Sequence, residues 1–186
     1  MTYRLAIVAL LAATLAACER ESGVMNEIAR AEQEGKARAG ASAAESAAFL
    51  ARQRARAGVR ATASGLLYEV TRASIAPNLP RPPANAQVLV HYEGRLPNGD
   101  VFDSSFERGE PVEFPIGGVV PGFAEALRLM RPGDEMIAYL PANLGYGAEG
   151  APPDIPPNSA LQFRIVLLAW GTADGRIVAA PGLETR

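Results

Sequence analysis

The chain has 186 residues, enough for one domain of ordinary size with extensions. Its 18 basic and 20 acidic side chains nearly balance, so no basic face for nucleic acid is signalled. One cysteine and one histidine are too few for an internal disulfide framework or for a structural zinc site.

At the N-terminus Arg4 is the lone positive charge before Leu5 to Leu15, an uncharged apolar run. The run is short of the roughly 20 residues a bilayer span takes and has the form of the apolar region of a secretory signal. Leu15-Ala16-Ala17-Cys18 closes it. That tetrapeptide resembles the lipobox of bacterial lipoproteins. The resemblance implies a signal peptide of residues 1–17, a lipid on the Cys18 thiol and attachment to the membrane through it. The other reading is an ordinary signal peptide that leaves Cys18 as a spare thiol. The lipoprotein is preferred because the only cysteine stands at the required place. Glu19, not aspartate, follows, which by the same resemblance points to the outer membrane, facing the periplasm.

Residues 18–63 are rich in Ala, Glu and Arg, which favour helix. Gly35, Gly40 and the Ser/Ala run around Ser42 are expected to interrupt it, giving one or two exposed helices that act as a stalk. The apolar residues Val24, Met25, Ile28, Phe49 and Leu50 sustain no heptad. A dimerising helix is the sharper reading of this segment. Arg52, Arg54, Arg56 and Arg60 read as a solvated face.

From Ser64 the texture changes to short strands and turns. Ser64 to Val70 reads as a first strand, and Ala73 to Asn85, with four prolines, as a loop. Gln87 to Leu96 is a strand with Val88, Val90 and Tyr92 on one face and Leu89 and His91 on the other. Pro97-Asn98-Gly99-Asp100 is a hairpin turn. Val101 to Asp103 and Pro111 to Ile116 are extended. One clear helix follows: Phe123, Ala126, Leu127 and Met130 share a face, and Arg131-Pro132-Gly133-Asp134 ends it. Glu135 to Leu140 is a strand, Ala142 to Asn158 a Pro/Gly-rich loop. The last strand alternates, with Leu161, Phe163, Ile165 and Leu167 on one face. Helix and sheet each have one apolar face and must cover each other. The expected class is therefore α+β, a twisted antiparallel sheet wrapped on one short helix in residues 64–170, with 171–186 as a flexible tail.

Five motifs now point to a family. Val90-His91-Tyr92-Glu93-Gly94, the run Gly99 to Ser105, Val120 to Leu127, Leu144-Gly145-Tyr146-Gly147 and Ile155 to Leu161 resemble FKBP-type peptidyl-prolyl isomerases, in family order and spacing. The junction from Phe49-Leu50 to Thr62-Ala63-Ser64-Gly65-Leu66 is similar to that of the macrophage-infectivity-potentiator group, whose helical N-terminal region dimerises the catalytic domain. The resemblance implies an FKBP-like fold and a homodimer through the N-terminal helix. It implies proline-containing polypeptide substrates, macrolide inhibitors and no metal or other cofactor. It also assigns residues. Phe123 stands where the family's pocket floor is usually tryptophan. Phe102, Phe114, Val119, Val120, Ile155 and Phe163 form walls, with Val112 and Ala151 at two more open positions. Tyr92, Asp103 and Tyr146, with the N–H of Val120, supply the polar groups.

Each residue has a plainer reading. Phe163 and Val120 could be core, Tyr92 a satisfied core tyrosine, and Asp103 a turn cap. His91, opposite Tyr92, reads as surface without a role. Three functions follow: an isomerase for exported proteins, a proline-peptide-binding chaperone module, or a structural lipoprotein, the last made remote by the density of motifs.

Overall fold

The computed structural model describes residues 3–183. The expected leader begins outside them, and no side chain before Met25 is described, that of Cys18 included. The chain divides into two compact units, Met1–Arg38 and Ala39–Arg186. Helix α1 runs from Tyr3 to Arg54 without a break. The interruption expected at Gly35 and Gly40 does not occur. An interior glycine costs about 1 kcal/mol against alanine, and the surrounding alanines and long charged residues outweigh two of them. Among the described residues no helix is long and apolar enough to cross a membrane.

The last turns of α1 belong to the second unit. Phe49 is buried with Leu67, Tyr139 and Ala160, its ring set edge-on to Tyr139 at 5.8 Å. Arg56 donates to the Tyr139 hydroxyl at 2.5 Å and pairs with Glu69 at 3.2 Å. The compact unit opens at Ala39, so the end of the segment read as a stalk packs with the domain expected from Ser64. The few apolar residues at the end of the stalk dock instead of facing water.

In chain order the second unit adds β1 (Arg60–Ala61), β2 (Leu67–Arg72), β3 (Gln87–Arg95), β4 (Val101–Ser104), α2 (Ser105–Arg108), β5 (Val112–Pro115), α3 (Pro121–Leu129), β6 (Glu135–Leu140), β7 (Leu161–Gly171) and β8 (Ile177–Ala179). One eight-stranded antiparallel sheet runs β1-β2-β6-β7-β3-β4. β5 pairs with the first half of β3 and β4 with the second half. The strand expected from Ser64 begins three residues later, at Leu67, and is β2; the two-residue β1 precedes it and pairs with it. The expected C-terminal tail carries β8, whose Ile177–Ala179 pairs with Ala169–Gly171; its last three residues lie outside the description.

The period-two reading holds along β3, where Val88, Val90 and Tyr92 are buried. It holds along β7, where Leu161, Phe163, Ile165 and Leu167 are buried. Opposite them α3 buries Phe123, Ala126 and Leu127, and Met130 caps its end. Pro121 opens the helix at a position whose N–H has no intrahelical partner. Each large apolar side chain buried here stabilises the fold by about 1.5–3 kcal/mol. At the Asn98-Gly99 turn, Leu96 donates to Asp100 O at 2.9 Å and Gly99 takes φ +97°, the left-handed region that favours glycine.

The short helix α2 was not expected. Ser104 is its N-cap, accepting from Glu107 N at 3.3 Å. Ser104-Ser105-Phe106-Glu107 is a capping-box sequence, the signal that would have found it.

Candidate functional site

One cleft opens between the sheet and the start of α3, with a volume of about 290 Å³. β3 contributes Tyr92, β4 Phe102 and Asp103, β5 Phe114 and β7 Phe163. The turn before α3 adds Gly118, Val119 and Val120, α3 adds Phe123, and the loop after β6 adds Tyr146. The aromatic rings meet edge to face, the arrangement their quadrupoles favour. Phe123 lies 5.0 Å from Phe163, Phe102 5.6 Å from Phe163, and Tyr92 5.9 Å from Phe123. Gly94 permits this packing. A Cβ there would stand 2.4 Å from Phe102 Cζ and 2.9 Å from Phe163 Cε1.

The rim is polar. The Tyr92 hydroxyl donates a short hydrogen bond to Asp103. Arg108 donates to Asp103 Oδ1 at 2.5 Å and to the Tyr92 oxygen at 3.2 Å. Burial, with Asp103 beside it, pushes the Tyr92 hydroxyl above its ordinary range. Burial is also the largest single influence on the Asp103 carboxyl and pulls it up. Hydrogen bonds from Tyr92 and Arg108, with the guanidinium charge, outweigh that pull and hold it below the usual range. Asp103 is therefore a carboxylate at neutral pH, with its charge balanced by Arg108. Tyr146 is 39% exposed at the mouth. The carbonyl of Val120 accepts from Phe123 and Ala124 at 3.0 and 3.1 Å as α3 starts, while its own N–H makes no backbone bond among the described residues.

Most of the residues singled out in the sequence thus meet in one place. Ile155 does not. It is 4% exposed, in a bridge to Ala151 within the long loop, and packs in the core outside the cleft lining. Val112 and Ala151 pack against the same core and do not line the cleft. Two features of the site, Gly118 in the lining and Arg108 bonded to the rim pair, escaped the sequence reading. Gly118 is a bare backbone surface with no side chain to signal it. Arg108 is brought to Asp103 by α2, so the capping box would have pointed to it. His91 is also corrected. It is half-buried, with Nδ1 3.1 Å from Ser105 Oγ and its ring stacked on Phe106 at 4.9 Å.

An antiparallel sheet closed on one short helix, with an aromatic pocket between them and a tyrosine–carboxylate pair at its rim, defines a class of α+β binding and isomerising domains. Comparison with known proteins gives the family. Residues 80–168 match the model of the FKBP-type peptidyl-prolyl cis-trans isomerase, and residues 8–70 match the domain amino-terminal to it. The peptidyl-prolyl cis-trans isomerase Mip of Coxiella burnetii is 45% identical over 127 residues, 68% of this chain and 54% of that protein. The FKBP-type 22 kDa peptidyl-prolyl cis-trans isomerase of Escherichia coli is 44% identical over 128 residues, 69% of this chain and 61% of that one. The chain spans a little over half the length of these curated relatives. The crystal structure of FkpA from Escherichia coli superposes with a TM-score of 0.75 at 32% identity, covering 82% of this chain and 72% of that one. A peptidyl-prolyl cis-trans isomerase structure from Pseudomonas syringae pv. tomato gives 0.65 at 35% identity, covering 71% and 95%. The chain belongs to the FKBP-type peptidyl-prolyl cis-trans isomerase family.

Proposed function

We propose that this chain accelerates cis/trans isomerisation of X–Pro bonds in exported polypeptides, working from the cell envelope on a lipid carried by Cys18. The observation that carries the reading is the aromatic cleft in which Tyr92, Phe102, Phe114, Phe123 and Phe163 converge beneath a polar rim.

The barrier is about 18–20 kcal/mol, set by amide resonance. The planar amide is polar, and the twisted transition state has lost resonance and is less so. An apolar aromatic cleft therefore disfavours the ground state more than the transition state, which is differential binding. Phe123 is the floor for the proline ring, Phe163 and Phe102 one wall, Phe114, Val119 and Val120 the other. Tyr146 and the Val120 N–H hold flanking carbonyls. Arg108 balances the Asp103 charge, so the work of Asp103 is to fix the Tyr92 hydroxyl more than to set a field. Bringing the reaction into the millisecond range needs about 10⁴–10⁵-fold, or roughly 5.5–7 kcal/mol. No covalent step, cofactor or nucleic acid enters.

Attachment rests on Leu15-Ala16-Ala17-Cys18, which supports a signal peptide of residues 1–17 and the periplasmic face of the outer membrane. Met25 and Ile28, 65% and 49% exposed, are the apolar residues of α1 that a second copy would cover in a homodimer.

Competition tests the cleft. A macrolide inhibitor of the FKBP family should bind one per chain and be displaced by excess Leu-Pro peptide. Macrolide binding unmoved by saturating peptide would put proline recognition elsewhere.

A further inference from the structure

The loop that carries Tyr146 is held from behind by helix α1. It leaves β6 at Pro141 and enters β7 at Leu161. Within it Gly147 N donates to Ala142 O at 2.8 Å, Gly150 N to Tyr146 O at 3.1 Å and Asn158 N to Gly147 O at 2.9 Å. These bonds make the loop one braced piece, so whatever fixes its far end also fixes Tyr146. The far end is fixed by two serines of α1. Ser46 Oγ accepts from Ala160 N at 2.7 Å in a fully buried bond, and Ser42 Oγ meets Ser159 Oγ at 2.9 Å. Gly147 and Asn158 face Ala43 and Ala47 across a shared groove. The small side chains of α1 leave room for the loop to lie close.

We propose that Ser42 and Ser46 are positioning residues for substrate. They lock the Tyr146 loop against α1 and so hold the mouth of the cleft in its binding shape. The proposal rests on the isomerase reading of the cleft. Neither serine lines the cleft, and both bond to the end of the loop, so an effect on substrate travels through the loop. Tyr146 lies at the exposed mouth, where it would hold substrate and transition state alike. Loosening it therefore raises KM and leaves kcat nearly unchanged.

The test uses the full chain carrying Ser42→Ala/Ser46→Ala, and Ser42→Ala alone should the buried change prevent folding. The expected result is a rise in KM of about three- to tenfold, the factor one hydrogen bond is worth, at unchanged kcat. In a Tyr146→Phe background the same serine changes should have little further effect, because coupled residues are not additive. Ser64→Ala removes a different serine bond, 2.6 Å to Glu125, and should leave KM unchanged. An unchanged KM in the serine variants, an equal drop in kcat, or full additivity with Tyr146→Phe would overturn the proposal. Amide exchange needs no turnover and separates this idea from the isomerase reading. Gly147 and Gly150 should exchange several-fold faster in the variant while β3 amides stay protected. Unchanged exchange in the loop, or an even rise across the sheet, would refute the brace even in a protein with no isomerase activity.

Discussion

Replacing Gly94 by alanine tests whether close backbone approach shapes the cleft. The added Cβ would lie 2.4 Å from Phe102 Cζ, 2.6 Å from Phe102 Cε2 and 2.9 Å from Phe163 Cε1. Phe163 is buried and ringed by Phe102, Phe123 and Tyr92, so it has nowhere to go. Phe102 is half-buried and its clashing atoms are the tip of the ring, so Phe102 moves. Gly94 does not sit at positive φ, so alanine brings no backbone strain. Overpacking of this kind costs about 1–3 kcal/mol, which a domain stable by about 5–15 kcal/mol survives. The fold should persist with a melting temperature lower by several degrees. Displacing the Phe102 wall should lower kcat/KM about tenfold, the equivalent of 1.4 kcal/mol. Phe102→Leu in the same chain should restore most of the melting temperature by removing the clash. The assay is calorimetric melting beside proline-peptide turnover. A Gly94→Ala protein with unchanged melting and full turnover would refute the claim that this approach holds Phe102 against Phe163.

Phe163→Ala should cost about 3–5 kcal/mol, and denaturant melts should show fold and turnover lost together. Asp103→Leu should lower turnover per folded molecule and barely move the melting temperature, because its side chain is 40% exposed; unfolding with normal turnover would make Asp103 a turn cap. The depressed Asp103 carboxyl contributes stability above its unfolded pKa of about 3.9 and loses it as pH falls through the lower folded value. The raised Tyr92 hydroxyl contributes below about pH 10 and loses its share as pH rises through the folded value. Turnover limited by this pair should therefore be level from about pH 5 to 9 in a pH–rate profile. Cys18→Ser should abolish palmitate labelling and release the protein from membranes; equal retention of the variant would defeat the lipid anchor.

The sheet was legible because β3 and β7 alternate cleanly with one face buried, and a period of two admits little else. The helix α3 was legible for the same reason at its own period. The aromatic cleft could be placed only through the five motifs, since Phe163 and Val120 look like ordinary core by spacing. What the sequence hid is tertiary. Nothing local to Phe49 says that it packs on Tyr139, and two glycines in an alanine-rich run do not reveal that neighbouring propensity will carry the helix through them. Ile155 sits in a family motif yet turns into the core, because its loop folds back through a bridge to Ala151. Arg108 reaches Asp103 only once α2 has formed.

Exchange NMR on a Leu-Pro peptide tests the central claim most directly, because it reads the cis/trans rate itself at equilibrium. With micromolar protein the uncatalysed exchange, which takes tens to hundreds of seconds, should become fast enough to give cross-peaks between the cis and trans resonances. The effect should saturate with peptide and vanish with a macrolide in the cleft. Peptide that binds, shown by shifted resonances, yet exchanges no faster than in buffer would contradict the account and leave a proline-binding module in place of an isomerase.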